Sequence, residues 1–125
     1  MTQFYNTSTT PITTGIKTWT CGFQPVGAHV TVVRPATGDV ISEGYVDSTG
    51  WTDFRYNLDS GSVKDSGIGG GANGKVISIH TVVGGVSTET NAASFNGGAA
   101  FTATGFQLNV TNVTSVDSYK VRLWG

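Results

Sequence analysis

The sequence is short of almost everything that builds helices or charged surfaces. Of its 125 residues, seven are Lys or Arg and eight are Asp or Glu, so 12% are charged and the formal net charge is −1. That is about half the usual charged share. The balance excludes the basic footprint of a nucleic-acid binder and the self-repelling composition of an acidic tail. Leucine occurs three times (58, 108, 123) and glutamate twice (43, 89), so strong helix formers are scarce. No apolar run approaches the ~18 residues that a membrane-spanning helix needs. Cys21 is the one cysteine, so no internal disulfide forms and the fold does not depend on an oxidising compartment. The start, Met1-Thr2-Gln3-Phe4, has neither a basic n-region nor an apolar h-region, and it reads as a mature terminus.

What is abundant points one way. There are 19 Thr, 18 Gly, 15 Val and 11 Ser. β-Branched residues favour strands, and glycine and serine favour the turns between them. Period-2 alternation runs along most of the chain. Trp19, Cys21 and Phe23 share one parity, and Val26, Ala28, Val30 and Val32 share another. Thr52, Phe54, Tyr56 and Leu58 oppose Trp51, Asp53, Arg55 and Asn57. Further apolar faces are expected from Ile77, Ile79, Thr81 and Val83, and from Phe106, Leu108 and Val110. Tyr119, Val121 and Leu123 form the last, with Lys120 and Arg122 facing out.

Turn signals separate these runs at Thr37-Gly38-Asp39, Ser48-Thr49-Gly50, Asp59-Ser60-Gly61, Gly84-Gly85 and Asn96-Gly97-Gly98. The expected fold is all-β: a single antiparallel β-sandwich, jelly-roll-like, with seven to nine short strands and no significant helix. Residues 15–125 form that domain. Residues 1–14 are polar and Thr-rich, with Phe4, Tyr5 and Ile12 their large apolar groups, and they read as an arm or irregular edge. Residues 60–74 carry six glycines and read as the longest loop.

Few motifs survive scrutiny. Gly69-x-Gly71-x-x-Gly74 matches a dinucleotide fingerprint in letters, and Gly69-x-x-x-x-Gly74-Lys75 resembles a P-loop. Both need a helix afterwards, whereas Val76 to Val83 alternate as a strand, and Val76 lacks the hydroxyl a P-loop gives to Mg²⁺. His29 and His80 lie on polar parities without ligands at metal spacing, and no G-x-S-x-G nucleophile turn exists. Cys21 shares its parity with Trp19 and Phe23 and reads as a core thiol. Asp47, Asp53, Asp59 and Asp65 recur every six residues, without a known Ca²⁺-loop pattern. Three glycosylation sequons (Asn6, Asn109, Asn112) are chance matches in a Thr-rich chain. Neither a cofactor nor catalytic residues are expected. The remaining interest lies in Trp51 and Trp124, on the polar parities of their strands. Such rings serve a subunit interface or sugar stacking, or cover the core at the end of the sandwich.

Three segments carry a resemblance. Gly22-Phe23-Gln24-Pro25 opens a Val-rich strand, Phe101-x-x-x-Gly105-Phe106-x-Leu108 leads into another, and the chain closes on Tyr119-x-Val121-x-Leu123-Trp124. This layout, over residues 15–125, resembles the β-sandwich domains of tailed-bacteriophage appendage and decoration proteins, which serve as capsid cement or head-fibre knobs. The resemblance implies a non-enzymatic virion structural protein on the outer capsid surface, assembled in the host cytoplasm, with the major capsid protein as partner and a homotrimer as its form. Phe4, Tyr5 and Ile12 are then the expected capsid contacts, and removing residues 1–14 should abolish capsid binding. Asp47, Trp51, Asp53, Arg55 and Trp124 are the expected subunit-interface or glycan-binding residues. The alternative is a receptor-binding module of a tail or head fibre, which would use the same residues on a surface glycan for host attachment. Neither reading involves nucleic acid or a membrane.

Overall fold

A computed structural model of the chain describes residues 3–7, 10–11, 13–34, 39–49, 52–57, 64–69, 75–83, 86–95, 100–113 and 118–125. Eleven strands run through these residues, and none of them is helical. In chain order they are β1 (Phe4–Asn6), β2 (Thr10–Pro11), β3 (Gly15–Thr20), β4 (Gly27–Arg34), β5 (Asp39–Asp47) and β6 (Thr52–Asn57). β7 (Lys64–Gly69), β8 (Lys75–Val83), β9 (Val86–Phe95), β10 (Gly105–Val113) and β11 (Ser118–Trp124) complete the set.

All pairings are antiparallel, and they build two sheets. The larger has the order β1-β11-β4-β5-β6-β7, with β2 also on β11; the smaller has β3-β10-β9-β8. Each sheet contains a run of consecutive strands flanked by one distant in sequence: β11 lies beside β4 of the run β4-β5-β6-β7, and β3 lies beside β10 of the run β8-β9-β10. Two antiparallel sheets facing each other across a shared core make a small β-sandwich. Four of the five turn signals fall between consecutive strands, and the fifth, Thr37-Gly38-Asp39, ends on the first residue of β5.

Alternation explains which face is buried. Ala28, Val30 and Val32 of β4, Val46 of β5, and Tyr119, Val121 and Leu123 of β11 point inward from the larger sheet. Phe106, Leu108 and Val110 of β10, with Val76 and Ile77 of β8, meet them from the smaller. Burying each larger apolar side chain is worth ~1.5–3 kcal/mol. Trp19, Cys21, Phe23, Phe101 and Tyr5 close the edges of this core. Phe106 stacks with Trp19 at 6.1 Å between centroids and meets Phe101 at 5.0 Å. The Cys21 thiol donates to the Phe23 carbonyl at 3.2 Å.

Both Gly-Phe pairs have a structural cause. Gly22 holds φ +83°, a corner that disfavours other residues, and Phe23 follows it into the core edge. Gly105 lies so close to β3 that any side chain would strike the Trp19 carbonyl, and Phe106 beyond it is fully buried.

Four expectations change. The strand count exceeds nine, because short strands form where apolar content is low. Residues 60–74 are not a continuous loop: β7 pairs with β6 from Thr52↔Gly69 to Asn57↔Lys64. An edge strand needs backbone pairing on one side only, so glycine and polar residues suffice there. Val26 does not join the buried face and is 49% exposed, because the chain bends there before β4 begins. On β8 the alternation is broken by register shifts between Lys75 and Ile77 and between Ile79 and His80. A bulge inserts one extra residue, so the neighbours Val76 and Ile77 are both fully buried.

The N-terminal segment lies along its own domain. β1 pairs Phe4↔Trp124, Tyr5↔Leu123 and Asn6↔Arg122. Thr7 then clips β11 twice: its N–H donates to the Val121 carbonyl at 2.9 Å, and its Oγ1 accepts from the Val121 N–H at 2.8 Å. Gln3 and Gly125 exchange a pair of backbone hydrogen bonds at 2.7 and 3.0 Å.

Candidate functional site

The outer face of the larger sheet carries the polar-parity positions of five adjacent strands. Register lines them up in rows. One row reads Phe4–Trp124–Gly27–Asp47, and the next reads Asn6–Arg122–His29–Tyr45–Asp53. A third reads Lys120–Thr31–Glu43–Arg55. The first two rows enclose an open pocket of about 290 Å³ lined by Phe4, Asn6, His29, Tyr45, Arg122, Leu123 and Trp124.

Each wall has a local reason for its position. Trp124 lies across β4 because its partner there is Gly27; a Cβ at Gly27 would fall within contact of the indole at Cζ2, Cε2 and Nε1. A bare backbone opposite an aromatic lets the ring lie flat over the sheet. His29 and Tyr45 are direct cross-strand partners, and their rings stack at 4.2 Å with 9° between planes. Such a pair contributes roughly 0.2–1 kcal/mol. His29 Nε2 also lies 3.3 Å from Oε2 of Glu43, one row along. With the carboxylate accepting, this bond fixes the imidazole against Tyr45. Phe4, at the sheet edge, is 75% exposed, and Tyr45 is 46% exposed.

Among the described residues, the lining therefore offers four rings, one guanidinium and one carboxamide, and no carboxylate. Lys120 is exposed two residues along β11 from Arg122. Glu43, the bordering acid, is engaged with His29. Among the described residues, no group of three or more His, Cys, Asp or Glu converges to hold a metal ion. The arrangement is suited to holding a flat, partly polar ligand.

Of the residues singled out from sequence, Phe4 and Trp124 come together in this pocket. Tyr5 faces the other way and packs on the core. Asp47 ends β5 at half burial, where its Oδ1 accepts from both the backbone N–H and the hydroxyl of Thr49, forming a local turn. β6 places Asp53 opposite Tyr45 and Arg55 opposite Glu43. Ile12, Trp51 and Asp59 lie outside the described residues. Asn6, His29, Tyr45 and Arg122 were not singled out as a site. The outward parity of His29 and Arg122 is legible in the sequence, but only cross-strand register, which the sequence does not spell out, brings the four together.

Comparison with protein-family models, curated proteins and solved structures finds no match to this chain.

Proposed function

We propose that this chain is a non-enzymatic virion structural protein, a decoration protein that binds the outer head surface of a tailed phage through the major capsid protein, as a homotrimer. The observation that carries the reading is Phe4. It is a large apolar side chain, 75% exposed, on a strand that backbone pairing holds rigidly in place. With its backbone already paired, docking has only the side chain left to order, and aromatic anchors dominate interfaces. Phe4 also continues into the rings of Trp124 and Tyr45, so the anchor is part of a wider aromatic face.

The test is binding to heads assembled without the chain, measured by co-sedimentation. Because β1 and β2 both pair with β11, removing residues 1–14 would strip two strands from the sheet edge. Phe4→Ala is the cleaner perturbation. The wild-type chain should bind the heads, and Phe4→Ala should bind at least tenfold more weakly with unchanged thermal stability. Equal binding by both removes Phe4 as the anchor, and no binding by the wild type removes the decoration reading.

The pocket favours a second reading, a receptor-binding module for a surface glycan. Ring faces beside polar hydrogen-bonding groups are the chemistry of sugar recognition.

A further inference from the structure

We infer that the pocket between β1, β11, β4 and β5 is a binding site for one saccharide unit that bears a carboxylate, a uronic or sialic acid residue. The inference rests on the glycan-binding reading of the pocket and is independent of where on a particle the protein sits.

Three observations select this ligand. The first is size: about 290 Å³ lies at the bottom of the ~300–1,000 Å³ range of small-molecule sites. It suits one six-membered ring with its substituents, and it is too small for a dinucleotide. The second is the walls. Trp124 is braced over the bare backbone of Gly27, and Tyr45 is braced by the stacked ring of His29. Rings held in place before binding present flat apolar faces at little entropic cost, which is what the C–H face of a sugar requires. The third is charge. Arg122 stands between Asn6 and His29 in the register, and no ion pair among the described side chains engages it. Its guanidinium is a planar fork suited to bidentate capture of a carboxylate. Lys120 on the same face of β11 strengthens the positive field, and the bordering acid Glu43 is already held by His29. Asn6 supplies a carboxamide that both donates and accepts, matching sugar hydroxyls. A neutral sugar would use the rings and leave Arg122 without a partner; an aliphatic acid would use Arg122 and leave the rings bare.

The experiment titrates ¹⁵N-labelled full-length chain with methyl glucuronide, methyl sialoside, methyl glucoside, benzoate and acetate, following amide shifts and the Arg122 side-chain signal. The acidic glycosides should shift residues of β1, β11, β4 and β5 around the pocket and bind at least tenfold more tightly than methyl glucoside or acetate. Arg122→Gln, an exposed substitution that removes the charge and keeps a polar side chain, should remove that preference, as expected for loss of a charge-assisted pair. Phe4→Ala should weaken acidic and neutral glycosides together. Equal binding of acidic and neutral glycosides, unaltered in Arg122→Gln, overturns the acid-specific inference and leaves a neutral glycan site. Benzoate or acetate binding as tightly as the glycosides overturns the saccharide assignment. No shift with any ligand overturns both the inference and the glycan reading, while leaving head binding to its own test.

Discussion

Gly44→Ala probes the closest approach of the two sheets. Gly44 faces inward from β5, opposite β8, and an added Cβ would collide with the Val76 carbonyl oxygen. It would also lie 2.7 Å from the Val76 carbonyl carbon and 2.8 Å from Val76 Cγ1. The obstacle is strand backbone, which no rotamer change can move. Relief requires β5 and β8 to separate, loosening the fully buried Val76 and Ile77 behind them. Overpacking of this kind costs ~1–3 kcal/mol, and a backbone clash belongs at the upper end. Alanine restricts the unfolded chain, which offsets ~0.4–1 kcal/mol. The net loss is ~2 kcal/mol out of a typical ~5–15 kcal/mol. For a chain of this length that lowers Tm by roughly 8 °C. The assay is urea unfolding followed by tryptophan fluorescence, with thermal unfolding by circular dichroism alongside. A variant as stable as wild type would refute the inter-sheet packing at this point.

Two further perturbations follow from the packing. Phe106→Ala removes a fully buried ring that touches Trp19 and Phe101, so it should cost ~3–5 kcal/mol, read as a lower urea midpoint. Gly27→Ala should displace the Trp124 indole from β4 and cost ~1–3 kcal/mol. A red shift in emission should accompany the loss, and saccharide affinity should fall with it.

The sequence made the class of fold legible because alternation and turns are local. Val30 and Val32, Phe106, Leu108 and Val110, and Tyr119, Val121 and Leu123 all face the core as their parity indicates. What escaped was non-local or irregular. Val76 is buried because of a bulge, and bulges have no fixed signature in side-chain pattern. β7 is held by backbone bonds to β6, which its glycine-rich composition conceals. The pairing of β1 with the last strand spans nearly the whole chain and brings Phe4 beside Trp124. That contact sets the candidate site. Phe4 and Trp124 could each be selected as outward aromatics, but their meeting with His29, Tyr45 and Arg122 is a product of topology.

The proposal that this is a head decoration protein is tested most directly by its abundance in purified virions, measured by quantitative mass spectrometry against the major capsid protein. The account predicts a copy number near parity with the capsid protein. A few copies per particle would place the chain on a tail or fibre tip and contradict the head assignment; absence from the particle would contradict both virion readings.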